Sequence, residues 1–360
     1  MRLLLGRRGH GVLHDRGEGA GLPLSHARAR FGASAWRAGL AALTLGALGP
    51  CVLGACRDDS GPVEAPPLPP LADAGPDVRP DTRPEPPRGP TIEVASFNVH
   101  RLFDTVCDTG DCGPGAYEEE PSPAALAAKA AELGAAIRAL RAGVVLLQEV
   151  ESQASLRALT EAVPELPSAV LGETGGAASV DVAVLSAYPI TKVRSHYATP
   201  LTLPDGRTTT FSRDLLEVHL QPPSPFSELI VLVAHFRSKV NDDPERRLAE
   251  ARAARAITVS VAQTFPTATV VLGGDLNDVP GSPALEALAA GGELVRVSEG
   301  LAQAEIGTVR YGGVWVALDH LFLARQAVGR LVPGTFQVFR GEQAGWGGSD
   351  HGAIRATFTP

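Results

Sequence analysis

The strongest constraint on the fold is a series of short apolar runs, each with a polar or charged residue at its end or just beyond it. Thr91 to Val99 carries Asn98, and Val144 to Leu147 stops at Gln148-Glu149. Leu229 to Ala234 meets His235, and Ala268 to Leu272 feeds Gly273-Gly274-Asp275. Leu318 to Leu323 holds Asp319, and Ala353 to Phe358 follows Asp350-His351. Apolar, β-branched runs of this length read as buried strands. Val180 to Leu185 reads as another strand, stopped by the turn before Pro189. Leu215 to Leu220 and Leu229 to Ala234 read as a hairpin around a Pro/Ser loop. Helical patterns cover Ala124 to Leu140, entered through Ser122-Pro123, then Ser152 to Val163 and Pro244 to Thr264. Strand ends that line one edge of packed sheets converge on a single cleft. With helices outside, the expected class is α/β: a four-layer sandwich of two mixed β-sheets packed face to face. Any one of these polar residues is equally at home on the surface at a strand end. The whole series is harder to dismiss.

The segment before these runs has a different character. Arg28, Arg30 and Arg37 precede an apolar stretch, Ala38 to Leu48, of signal-peptide length and short for a membrane span. It leads into Leu53-Gly54-Ala55-Cys56, which resembles a bacterial lipobox with Cys56 as the lipidated thiol; an ordinary signal peptide with an incidental cysteine is the alternative. Residues 57–90 are Pro-rich and read as an extended spacer. The expected organisation is therefore a signal peptide with lipobox (1–56), a linker (57–90) and one domain (91–360). That predicts a lipid-anchored envelope protein, or a secreted one. Of the four cysteines, Cys107 and Cys112 share the loop VCDTGDCG. In an oxidising compartment a disulfide between them is expected, with free thiols as the alternative. A zinc site lacks a second Cys/His pair at ligand spacing. The net charge of −8 argues against a broad basic footprint for duplex DNA, although an active-site metal supplies local positive charge.

In order, the motifs are SFNVHRLFD (96–104), LLQEVE (146–151), FSRDLLEVHL (211–220), VAHFRSK (233–239), GGDLND (273–278), LDHLFL (318–323) and GSDHGAI (348–354). This ordered set resembles the endonuclease/exonuclease/phosphatase superfamily, deoxyribonuclease I-like, across nearly all of residues 91–360. The loop FDTVCDTGDCG is similar to that of its bacterial extracellular nuclease branch. His100 stands where exonuclease III-type enzymes carry an aspartate, and His235 also differs from that branch.

The resemblance implies roles residue by residue. Glu149, with Asp350 and Asn98, would bind the metal, and Asn98 would also support the phosphate. Asp275 and Asn277 would position the nucleophile and the phosphoryl oxygens. Asp319 would orient His351, with His235 as a second histidine and Arg213 near the substrate phosphate. The chemistry agrees. Carboxylate and amide oxygens suit Mg²⁺, Mn²⁺ or Ca²⁺ and not a thiolate zinc site. A histidine backed by a carboxylate is easily tuned as a general base, which points to His351, with His235 assisting the leaving group.

Plainer readings stand beside these. Asn98 would cap its loop, and Arg213 would pair with Asp214 or Glu217. His196 and His219 would be surface or packing residues, and His320 would point away from Asp319. Arg246, Arg247, Arg252 and Arg255 would form a solvated helix face. The expected function is metal-dependent phosphodiester hydrolysis by a monomeric extracytoplasmic nuclease acting on DNA or RNA. The same-fold alternatives are a sphingomyelinase-like enzyme, for which no exposed aromatic hairpin is legible, and an inositol-phosphate phosphohydrolase. A catalytically silent envelope binding protein would require losses among the motif residues, and none is found.

Overall fold

The computed structural model describes residues 89–342 and 344–360. The stretch expected to be a signal peptide, Cys56 and nearly all of the expected spacer lie outside the described residues. The strands are β1 (Ile92–Leu102), β2 (Val144–Val150), β3 (Ser168–Gly172), β4 (Asp181–Ser186), β5 (Ile190–Ser195), β6 (Leu201–Thr202), β7 (Thr208–Thr209) and β8 (Leu216–Leu220), followed by β9 (Leu229–His235), β10 (Thr269–Asp275), β11 (Leu294–Arg296), β12 (Val309–Tyr311), β13 (Val314–Val316), β14 (Asp319–Ala324), β15 (Gln337–Phe339) and β16 (Ala353–Phe358). The helices are α1 (Pro123–Leu140), α2 (Gln153–Ala162), α3 (Pro244–Thr264), α4 (Pro283–Ala289) and α5 (Gln303–Ile306). Among the described residues no helix is long and apolar enough to cross a membrane.

Two six-stranded sheets form, in the orders β15-β16-β1-β2-β4-β3 and β11-β14-β10-β9-β8-β5. Each has one parallel pair at its centre, β1 with β2 and β9 with β10. The other pairings are antiparallel, so both sheets are mixed. Helix α1 joins β1 to β2, and α3 joins β9 to β10. Alternation along the strands divides the interior. Val94, Leu146 and Val184 meet Val231, Val233 and Val271 between the sheets. Ala95, Phe97 and Leu147 face Leu133, Ile137 and Leu159 of α1 and α2, and Leu232, Val270 and Leu272 face Ala251, Ala254 and Leu288 of α3 and α4. The layers therefore run helix, sheet, sheet, helix, as the sequence predicts.

The helix starts are fixed locally. The Ser122 side chain accepts from Ala125 N ahead of Pro123, and the Asp243 side chain accepts from Arg246 N ahead of Pro244. Gly274 explains the glycine pair before Asp275. Its φ is +143°, and a Cβ there would lie 1.9 Å from Ala234 O on the parallel neighbour, closer than any side chain allows.

Two expectations need correcting. The α3 arginines are not a uniformly solvated face. Arg247 is buried and paired with Asp242 at 2.8 Å and Asp278 at 3.1 Å, because a buried guanidinium needs carboxylates beside it. His196 and His219 are packing residues, one of the two places expected for them: both are interior, linked through Glu217 at 2.8 Å each, and His219 continues to Glu228 at 2.6 Å. Burial and these two imidazoles act on Glu217, and the imidazoles prevail, holding its carboxyl at about 2. An aromatic hairpin does exist. β12 and β13 pair across Gly312-Gly313 and expose Tyr311 and Val314. Two glycines between short apolar runs are the turn signal that reveals it.

Candidate active site

Strand register assembles the centre. Asp275 on β10 is aligned with His235 on β9 and with Asp319 on β14, so adjacent strands present the three residues side by side. The first sheet supplies Asn98 from β1. Its Nδ2 donates to Asp275 Oδ2 at 3.1 Å and to Glu149 Oε1 at 3.1 Å, which stitches the two sheets together where the apolar core ends. Glu149 reaches the cleft because pairing on both sides of β2 shifts at this point, leaving it as a bulge with φ +67°. A left-handed conformation at a non-glycine residue persists only where its surroundings hold it, and Arg101 N donates to Glu149 Oε2 at 2.9 Å.

His351 Nδ1 lies 2.9 Å from Asp319 Oδ2, which leaves Nε2 facing the cleft 3.7 Å from Asp275 Oδ2. Asp319 is itself fixed by Thr308 Oγ1 at 2.6 Å. Ser349 completes the loop: its Oγ donates to Asn98 O at 2.7 Å and accepts from His351 N at 3.0 Å. Asn277, with φ +52°, donates from N to Asp275 Oδ1 at 2.9 Å and from Nδ2 to Phe236 O at 3.1 Å. His235 is buried with Nε2 3.6 Å from Asp275 Oδ2, and its Nδ1 has no hydrogen-bond partner.

These contacts set the charge states. Burial raises Asp275 above the ordinary carboxylate range, reinforced by Asp319 and Glu149 against the pull of His351. Burial pushes His351 down, but the Asp319 and Asp275 carboxylates outweigh it and hold the imidazole well above its ordinary value. Burial, then the charges of Arg213 and His351, push His235 well below the usual histidine range. These shifts favour a cationic His351 and a neutral His235, each with Nε2 within 3.7 Å of the Asp275 carboxylate.

The expected metal-binding residues are only partly brought together. Asp350 turns outward, with Oδ1 2.6 Å from His100 Nδ1. Asn98 spends its amide on Glu149 and Asp275, and its oxygen accepts from His100 N at 2.9 Å. Lys129 of α1 connects Glu149 and Asp350 electrostatically. Its ammonium donates to Arg101 O at 2.9 Å and feels both carboxylates, while burial lowers its pKa. The residues still fit a hard divalent cation. Glu149 is partly exposed, each of its oxygens accepts a single N–H, and the donors around it are oxygens. Asp275, Asp319 and His351 also present ligand atoms within 4.8 Å of one another.

Arg213 pairs with neither Asp214 nor Glu217. It lines a cavity of ≈250 Å³ with Tyr117, Asp181, Arg237 and Arg246, beside the Tyr117 phenol and close enough to His235 to affect its proton. His320 turns away from Asp319 as expected, with Nε2 2.9 Å from Asp278 O, and burial lowers it to about 4. The sequence reading missed Lys129, Thr308, Tyr117 and Arg237. Of these only Lys129 carries a local signal, as the one cation within an Ala-rich helix stretch, AALAAKAAEL. Cys107 and Cys112 form the expected disulfide.

A search of curated proteins finds no match. Solved structures do resemble the fold. The truncated TDP2 of Caenorhabditis elegans is 17% identical with a TM-score of 0.51, the alignment covering 75% of this chain and 98% of that one. TDP2 of D. rerio, complexed with a single-strand DNA product, is 17% identical at TM-score 0.52, covering 75% and 99%. An endonuclease/exonuclease/phosphatase of Bacteroides vulgatus is 14% identical at TM-score 0.53, again covering 75% and 99%. Residues 95–351 match the Endonuclease/Exonuclease/phosphatase family, a span that contains every strand-end residue of the cleft. The chain belongs to that family of divalent-metal-dependent phosphoester hydrolases.

Proposed function

We propose that this protein is an extracytoplasmic nuclease that hydrolyses phosphodiesters in a DNA or RNA strand. The observation that carries the strand reading is the cavity beside the cleft. Arg213, Arg237 and Arg246 line it, and Arg237 Nε and Arg246 Nε are buried without hydrogen-bond partners. The nearest acid to Arg246 Nε is Glu250 at 3.7 Å, beyond hydrogen-bond length. Guanidinium groups left short of acceptors suit a second phosphate, which a nucleic acid strand carries and a single-phosphate lipid does not. The D. rerio TDP2 structure, with its single-strand DNA product, supports this direction.

In the proposed reaction, Asp275 takes the proton of the attacking water, since its raised pKa makes it a stronger base than an ordinary carboxylate. The sequence alone suggested His351 for that task. The carboxylates around it favour a protonated His351, so it serves better as a donor to the phosphoryl oxygen on which charge develops. His235 is neutral and offers a further hydrogen bond, and Asn277 fixes Asp275 through its backbone N–H. Glu149, with Asp350 and Asn98 nearby, would hold the cation, with Mg²⁺ the first choice and Mn²⁺ or Ca²⁺ the others. When bound, the cation supplies charge neutralisation and polarisation of the phosphate ester.

The test is a parallel assay of residues 1–360, processed as in the cell, against DNA, RNA, sphingomyelin and an inositol phosphate. Arg237→Ala and Arg246→Ala should each lower kcat/KM on an oligonucleotide by roughly 10-fold or more, the worth of one charge-assisted hydrogen bond. Turnover of bis-p-nitrophenyl phosphate, which has no second phosphate, should be unchanged. Equal losses on both substrates would remove the strand reading. The exposed β12–β13 hairpin favours a second reading, a phospholipid diesterase, and preferential hydrolysis of sphingomyelin in vesicles would establish it.

The extracytoplasmic assignment draws support from the Cys107–Cys112 disulfide, which persists in oxidising compartments. If Cys56 is lipidated, intact mass of the native protein should show an acylated N-terminal cysteine; a mature chain beginning elsewhere would rule out the anchor.

A further inference from the structure

The loop between β1 and α1 contains a second group of carboxylates that the hydrolytic chemistry does not use. Asp104 follows β1, Glu151 follows β2, Asp108 lies within the loop closed by Cys107–Cys112, and Glu118 follows that loop. Asp104, Glu118 and Glu151 are 8%, 1% and 3% exposed, while Asp108 stands at the mouth, open to solvent. Carboxylate oxygens of Asp108, Glu118 and Glu151 lie within 4.8 Å of one another.

The local donors are already committed. Glu118 accepts from Asp108 N at 2.6 Å, Thr109 N at 2.8 Å and the Thr109 hydroxyl. Asp104 accepts from Val106 N at 2.7 Å and Ser152 Oγ at 2.6 Å. Glu151 Oε2 accepts from Asp104 N at 2.6 Å, but Glu151 Oε1 is buried with no partner at all. The ion pairs among the described residues engage other carboxylates. Like charges gathered without a cation are costly, and Glu151, a member of this group, keeps a buried carboxylate oxygen with no donor.

We propose that Asp108, Glu118 and Glu151, with Asp104 behind them, form a calcium site separate from the catalytic centre. All the donors are hard oxygens. The loop contains Gly110, Gly113 and Gly115, and its open side at Asp108 leaves room for water, which suits the larger and less regular coordination shell of Ca²⁺ better than that of Mg²⁺. The ion ties the disulfide loop to the ends of β1 and β2. That places Tyr117, the neighbour of Glu118, against Phe103 (ring centroids 6.0 Å apart) and under Arg101 at 4.6 Å, where it forms one wall of the arginine cavity. Calcium at this site therefore holds the substrate-facing wall in place.

The experiment uses the full chain carrying Glu149→Gln, so that the catalytic centre contributes little cation binding, stripped with EGTA and titrated with CaCl₂. Calcium at about 100-fold over its dissociation constant should raise Tm by roughly 5 °C, and equal MgCl₂ by much less. Asp108→Asn in the same background, a change at an exposed position that leaves the fold intact, should move the midpoint of the calcium titration at least ~10-fold higher, the effect of losing one charged ligand. Glu151→Gln should abolish the shift if it folds. Absence of a calcium shift in the parent, or an unchanged midpoint in Asp108→Asn, would overturn the site. Neither result depends on which phosphodiester the enzyme cleaves.

Discussion

Glu149→Gln is expected to lower turnover of any phosphodiester substrate by ~10²–10³-fold, the scale of losing one preorganised electrostatic contact at a reacting centre, while the fold survives. The substitution is nearly isosteric. Gln retains an oxygen to accept from Asn98 Nδ2 or Arg101 N, so the bulged conformation at φ +67° keeps part of its support. What disappears is the negative charge. Lys129 and the neighbouring carboxylates would then face a neutral amide, and a hard cation would lose its principal anionic ligand. Excess EDTA should reproduce the loss in the unaltered protein, and MgCl₂ should restore it there but not in Glu149→Gln. Circular dichroism and Tm measured beside the rate would separate a lost ligand from a lost fold. Full activity in EDTA would overturn the metal mechanism. A folded Glu149→Gln protein with normal turnover would remove this residue from the site.

The series of strands ending in polar residues was enough to mark the central strands and the long helices. The reason is local: Ser122-Pro123 and Asp243-Pro244 announce helix starts, and the central strands are apolar on both faces. Edge strands gave no such signal. β5, Ile190–Ser195, is largely exposed and reads ITKVRS, and β3 is a short, partly exposed SAVLG. In the site, motif residues on strands were legible because strand register carries them to one edge. Groups whose role comes only from tertiary approach were not. Thr308 matters because Asp319 folds over it, and Tyr117 matters because a disulfide loop brings it to Arg213. Arg247 read as a surface cation because Asp278, its partner, lies thirty-one residues along the chain. Within LLQEVE the resemblance singled out Glu149 and gave Glu151 no role. The bulge sends Glu149 to the cleft, while Glu151 accepts from Asp104 N and faces the acidic loop.

His351→Ala is expected to reduce kcat by roughly 100-fold or more with the protein still folded, the usual worth of a positioned proton-transfer group. His235→Ala should cost a similar factor, and the double variant less than the product of the two, because residues acting on one phosphoryl group are not additive. Asp319→Asn gives the sharper result. Asp319 is the leading influence raising the His351 proton affinity and accepts from Nδ1 at 2.9 Å. Removing its charge lowers the pKa of His351, so the alkaline limb of the kcat/KM profile should move to lower pH. The acid limb reports Asp275 losing its proton. It should move to lower pH as well, because Asp319 is one of the charges that raise Asp275. In the His351→Ala background Asp319→Asn should cost much less than it does alone, since the carboxylate acts through the imidazole. Single-turnover rates of His351→Ala, Asp319→Asn, the double variant and the parent, taken across pH on one oligonucleotide, would decide the matter. Near-normal turnover in His351→Ala would overturn the assignment. An alkaline limb that stays put in Asp319→Asn would mean that His351 does not act as the charged donor. Loss confined to KM, with kcat intact at saturation, would recast both histidines as ground-state phosphate ligands.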